Sequence, residues 1–220
     1  MRVIASTVAA FVAVASAQGG LVNPLIPAWA GSINSQVAAW ESFTQANGGA
    51  NLPDQAGSSP FSLMNFAPGS FITATGNIYN INSPLYVMIM GGTLANAANP
   101  SLGNSPLQVV MNLATAGTLV SPGSVRLSLF DNAGNSMTLA PALTEIRSDA
   151  PAQPQGSIRT TAYTWNTSFV PFAATGFRVE FAASAGSMSL DAVRLDLNYV
   201  PAPGALALVG LAAVTARRRR

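Results

Sequence analysis

Val193-Arg194-Leu195-Asp196-Leu197-Asn198-Tyr199 sets Val193, Leu195, Leu197 and Tyr199 on one side of an extended chain and Arg194, Asp196 and Asn198 on the other. Such alternation is the period of a strand with one buried face, because successive side chains of a strand point in opposite directions. Upstream, Phe177, Val179 and Phe181 stand in the same way against Arg178 and Glu180. The opposite signs on the polar sides predict pairing across strands, at about 0.2–1 kcal/mol each, which fixes register rather than chemistry.

Working outward, Leu107, Val109, Met111 and Leu113 alternate with Gln108, Val110, Asn112 and Ala114. Val125, Leu127 and Leu129 alternate with Arg126 and Ser128, then Asp131-Asn132-Ala133-Gly134-Asn135 and Met137-Thr138-Leu139 complete the strongest hairpin signal in the chain. Shorter strands flank Gly76, and another runs from Leu85 to Met90 before Gly91-Gly92. Tyr163 and Trp165 share a face with Thr161 and Thr167, opposite Thr160, Ala162, Thr164 and Asn166; the large rings are expected to be the buried side. Ser35 to Thr44 fits a helix through Val37, Trp40 and Thr44 and a strand through Trp40 to Thr44; the edge-strand reading is preferred. Pro141, Pro151, Pro154 and Gly156 predict a long exposed loop over 141–156. Turn residues recur at short intervals, with no long helical spacing and no repeat of fixed period. The expected fold is all-β: a single β-sandwich over residues 18–199, with a jelly roll as one form it could take.

Of the 220 residues, 8% are charged and 49% hydrophobic, so the chain can fill a core. It contains no Cys and no His, and all ten basic residues are Arg. Disulfides, Cys/His zinc sites, His-based triads and Lys Schiff bases are thereby removed. The net charge of +2 belongs to the ends, since five arginines lie at Arg2 and Arg217 to Arg220. Between residues 18 and 200, five arginines meet eight carboxylates, a net charge of −3, which offers nucleic acid no footprint.

Both ends read as addresses. Residues 1–17 combine Arg2, an apolar run from Val3 to Val14 and the exit Ala15-Ser16-Ala17 before Gln18, the three parts of a secretory signal cleaved by signal peptidase. Residues 200–220 combine a Pro-rich linker, a short apolar helix over 205–216 and Arg217-Arg218-Arg219-Arg220. Twelve residues fall short of the roughly 20 that cross a bilayer comfortably, and four terminal charges would hold the tail on the cytoplasmic side. A transient inner-membrane anchor fits that geometry.

The tail resembles the PEP-CTERM sorting signal, which exosortase-type transpeptidases recognise in Gram-negative bacteria. Pro201-Ala202-Pro203 stands where the family has Pro-Glu-Pro, with Gly204, the apolar helix and the Arg cluster following, and Ala202 replaces the family's Glu. The resemblance implies an exosortase-type partner and delivery to the cell surface or extracellular matrix. Ser187 to Leu195 is similar to the last strand of jelly-roll modules, many of them carbohydrate-binding. In those modules an Asp before the final alternation holds a structural calcium or caps loop amides; Asp191 stands at that position. No dense acidic loop accompanies it, so hydrogen bonding to local backbone is the preferred role, with calcium the single cofactor option.

A carboxylate pair is the catalytic chemistry still open. Asp191 and Asp196 lie at odd and even positions and are expected on opposite faces; Glu180 and Asp196 could share one, but Arg neighbours explain both as ion pairs. Trp29 and Trp40 lie in the less regular N-terminal region and are the candidate sugar contacts. Asn166-Thr167-Ser168 fits a glycosylation acceptor, accidental given the bacterial address. The expected function is a non-enzymatic structural or adhesive surface module, with surface polysaccharide as a partner. A carbohydrate-binding jelly roll and a carboxylate-dependent glycosidase are the alternatives.

Overall fold

The computed structural model describes residues 20–32, 34–56, 61–91, 106–151 and 156–199. Among them the chain forms thirteen strands, numbered in chain order, and one short 3-10 turn at Pro122–Ser124. The framework is a ribbon of nested antiparallel pairs. Its tip is the predicted hairpin, β8 (Arg126–Phe130) with β9 (Ser136–Leu139). Around the tip lie β7 (Pro106–Gly117) with β11 (Ser157–Asn166), then β6 (Tyr86–Gly91) with β12 (Gly176–Ala182), then β1 (Ser35–Trp40) with β13 (Met188–Tyr199). Successive pairs alternate between two sheets, which is how a double ribbon winds into a jelly roll. The first sheet runs β10-β11-β7-β13-β1-β2, where β10 is Leu143–Pro151 and β2 is Gln55–Ala56; β5 (Ile78–Asn80) joins β13 and carries β4 (Phe71–Ile72). The second runs β3-β6-β12-β8-β9, with β3 at Phe61–Asn65.

The tip turn shows why its sequence specifies it. Asp131 Oδ1 accepts the amides of Ala133 and Asn135, Asn135 Nδ2 donates to Oδ2 at 2.8 Å, and Gly134 takes φ 87°. The Asn135 bond, more than any other interaction, holds the Asp131 carboxyl below its usual range.

Alternation assigns the core as expected. Val109, Met111, Leu113, Tyr163, Trp165, Val193, Leu195, Leu197 and Tyr199 face Val87, Ile89, Phe177, Val179, Phe181, Leu127 and Leu129 across the sandwich. Each such side chain contributes about 1.5–3 kcal/mol through burial. Gly91 lets the Phe61 and Phe177 rings meet at 5.8 Å, because a Cβ there would stand 2.4 Å from the Phe177 ring.

Three expectations are corrected. Within the expected loop over 141–156, Leu143–Pro151 instead form edge strand β10 against β11, and Pro141 and Pro151 bracket the strand without interrupting its ladder, while residues 152–155 lie outside the described residues. Ser35–Trp40 is a strand, but β2 pairs with Ala38 and Ala39, so β1 is not the outermost. The charged pairs of β12 and β13 form along their own strands, Arg178 Nε to Glu180 at 3.2 Å and Arg194 to Asp196 at 2.8 Å, rather than across to a neighbour, unlike Asp149 and Arg159, which pair across β10 and β11.

Candidate functional site

Residues 20–32 cross the outer face of the first sheet as a strap. Asn112, on β7, grips it with both ends of its amide: Oδ1 accepts from Leu25 N at 2.7 Å and Nδ2 donates to Leu25 O at 3.0 Å. Val22 N donates to Thr160 Oγ1, while Asn23 and Arg147 exchange side chain to carbonyl bonds. Trp29 lies half-buried in the turn that ends the strap, its carbonyl accepting from Ser32 N.

Trp40 is corrected as a sugar contact. It is 0% exposed on the inner face of β1, and its Nε1 donates to Asn51 O at 3.0 Å. A stacking platform needs an open ring face, which Trp40 lacks. Ala15, Ala17, Pro201, Ala202, Pro203, Gly204 and Arg217, Arg218, Arg219 and Arg220 lie outside the described residues.

Asp191 sits at a slip in the pairing of β13 with β7, between Leu190 and Ala192. That slip resets the alternation: Met188 and Leu190 point to the core before it, Val193, Leu195, Leu197 and Tyr199 after it. Asp191 and Asp196 therefore fall on one face, correcting the parity expectation, because a bulge adds one residue to the count. Five residues of strand still separate them by roughly 16 Å, beyond the 5–9.5 Å or so of glycosidase pairs. Glu180 and Asp196 belong to different sheets, on opposite surfaces of the sandwich. Asp191 Oδ1 accepts from Asn77 Nδ2 at 2.7 Å and Ser189 Oγ at 2.6 Å, so its partners are side chains and not the expected backbone. Burial, only partly offset by these bonds, pushes its carboxyl up to about 6. Both partners are donors, which ties β13 to the segment before β5 and supplies no oxygen cage. Among the described residues no three His, Cys, Asp or Glu side chains gather around a metal position.

The concave feature lies elsewhere, where β10 and β11 overhang the second sheet. Inner-face rows run Thr144–Tyr163–Met111, Ile146–Thr161–Leu113 and Asp149–Arg159–Thr115 across β10, β11 and β7. Ile146 is 59% exposed despite its inward row, because nothing among the described residues roofs it. The resulting cleft is about 450 Å³, walled by Leu113, Leu119, Val120, Pro122 and Ile146 and by the hydroxyl-bearing Thr115, Thr144, Thr161, Tyr163 and Ser184. Arg159 closes one end, its Nη2 2.5 Å from Asp149 Oδ2, while Ser157 Oγ also donates to Asp149. Those bonds, the Arg159 one foremost, keep the Asp149 carboxyl below its usual range, which makes it a weak base near neutral pH. Burial pushes the Tyr163 hydroxyl up to about 12, so it stays protonated. Hydrogen bonding and apolar contact are what this lining offers a ligand.

Sequence alternation reveals the hydroxyls on β11 but not the cleft, which depends on β10 being a strand. No protein-family model matches the chain, and no curated protein is significantly similar to it.

Proposed function

We propose that the chain is an exported, non-enzymatic surface module, carried out by the signal at residues 1–17 and sorted to the cell surface or extracellular matrix through the tail at residues 200–220. The observation that supports this most is closure: β1 pairs with β13 from Ser35↔Asn198 to Trp40↔Val193, so the first and last strands of the ribbon seal the sandwich using only residues of the body. Neither terminal segment is needed for a described strand, which suits sequences that serve as addresses. A structural or adhesive role is supported by how the carboxylates are used. Asp54 caps the amides of Glu41 and Ser42, Asp131 ties its turn, and Glu145, Asp149, Glu180, Asp191 and Asp196 bond to side chains of the fold.

The test is mass spectrometry of the protein recovered from its own cell. The expected mature chain starts at Gln18 and lacks Arg217 to Arg220. An intact arginine tail would remove the sorting claim, and a retained Met1 would remove the export claim. A second reading, a ligand-binding module, is favoured by the cleft of about 450 Å³, which has the size of a small-ligand site and a lining that mixes apolar side chains with hydroxyl groups.

A further inference from the structure

We propose that the cleft under the β10–β11 overhang holds one uncharged sugar ring of a neutral glycan, an assignment that rests on the ligand-binding reading. The argument is one of matching chemistry. Across the floor, aliphatic and hydroxyl side chains alternate: Ile146, Thr161 and Leu113 form one row, with Thr144 and Tyr163 beside Met111 in the next. Neighbouring strands lie about 4.8 Å apart, so apolar and hydroxyl groups recur on the scale of a single pyranose, whose C–H faces and O–H edges alternate in the same way. A hydroxyl both donates and accepts, so Thr115 and Thr144 can meet either sense of a sugar hydroxyl, while Ser184, whose Oγ donates to Leu119 O at 3.0 Å, and Thr161, hydrogen-bonded to Tyr163, offer acceptor oxygens.

Two other ligand classes fit worse. An acyl chain would cover the hydroxyls without giving them partners, and an unpaired buried polar group is penalised. A charged ligand would find its counter-charge already neutralised, because the one ionic group of the lining, Arg159, pairs through Nη2 with Asp149 at 2.5 Å, and its buried Nε, which has no partner among the described residues, is a donor that an uncharged hydroxyl satisfies. A neutral polyol meets both conditions. Trp40 has no part in this site, and the overhang supplies what an exposed indole would otherwise provide.

The experiment titrates the full isotope-labelled chain with malto-, cello- and mannohexaose, polygalacturonate and laurate, following the amide signals of Thr144, Thr161 and Ser184. A neutral hexaose is expected to move these signals. Ile146→Trp, at an exposed position, plugs the mouth and is expected to weaken that binding about tenfold or more, equivalent to about 1.4 kcal/mol. Thr144→Val removes one hydroxyl at constant shape and is expected to weaken it about two- to tenfold. Leu143→Ala, also exposed but on the opposite face of β10, is expected to leave it unchanged, and unaltered melting would exclude misfolding. Binding of polygalacturonate or laurate alone at these signals overturns the sugar assignment and keeps a ligand-binding module. Movement by no member of the panel overturns both, while leaving the export reading to its own mass-spectrometric test.

Discussion

Replacing Asp191 by Asn isolates what burying a carboxyl does to this fold. The residue is 4% exposed, and burial raises its carboxyl to about 6, against about 3.9 for a free aspartate. A folded-state value above the unfolded one means that the folded chain binds this proton more tightly. The stabilisation is therefore complete below about pH 4 and is lost as pH rises through about 6. Two pH units of separation correspond to roughly 3 kcal/mol, an upper figure for the stability the native protein sheds at this site between about pH 4 and 7. Asn has the same shape and carries an amide oxygen for Asn77 Nδ2 and Ser189 Oγ, but no charge. Urea unfolding across that range is expected to give near-equal stabilities around pH 4 and an advantage for the variant that grows toward about 3 kcal/mol near pH 7.5. Asp131 and Asp149 do not confuse the comparison: both carboxyls are held low, so their contribution is present above about pH 4 and lost only as pH falls further, equally in both proteins. A gap that stays constant with pH, or a variant less stable at pH 7.5, would refute the reasoning, since either would mean that the carboxylate is charged in the fold and well served by its two donors.

Two glycines with similar backbones are expected to differ sharply when changed to Ala. Gly117, at φ 83°, would place its Cβ 2.2 Å from the Ser187 carbonyl oxygen and lose about 3 kcal/mol or more, whereas Gly134, at φ 87° with open space, would lose about 1 kcal/mol; thermal melting ranks them. Asn112→Ala removes both bonds to Leu25 and is expected to destabilise by about 1–3 kcal/mol while speeding hydrogen exchange at Val22 and Leu25, a change confined to the strap. Trp40→Phe forfeits the bond to Asn51 O and some packing for about 1–2 kcal/mol, measured by denaturant, with hexaose binding unaltered.

Periodicity carried most of the architecture because these strands bury one face and wet the other. The Tyr163 and Trp165 side was decidable for that reason: the opposite side offered only Thr160, Ala162 and Thr164 to fill a core. Parity failed where a strand gains a residue. Leu190 and Val193 are both core residues three apart, an odd spacing that is the sequence trace of the bulge displacing Asp191 onto the face of Asp196. The slip between Ile146 and Ser148 does the same in β10, leaving Arg147 free to reach Asn23 while Asp149 turns to Arg159. Proline density hid that strand, since the usual reading of Pro as a breaker assumes a central position. The cleft was out of reach for a different reason: it arises from one sheet extending past the other, a property of strand order that no local window contains.

Strand order also limits how the module can meet a partner. An exposed sheet edge is a template for further strands. Here the rims among the described residues are poor templates. β10 carries a bulge, Pro151 and the charges of Glu145, Arg147 and Asp149; β2 has two residues and β9 four; β3 is flanked by Asn51, which bridges to Leu63 and spends its amide on Gln45 O. Association by strand addition is therefore disfavoured at each rim, and the outer face of the first sheet is strapped by residues 20–32. Recognition then falls to side chains, on the open face of the second sheet or in the cleft. Of these two, only the cleft surrounds a ligand on several sides, and for that reason it is where a specific partner would be told from a general one.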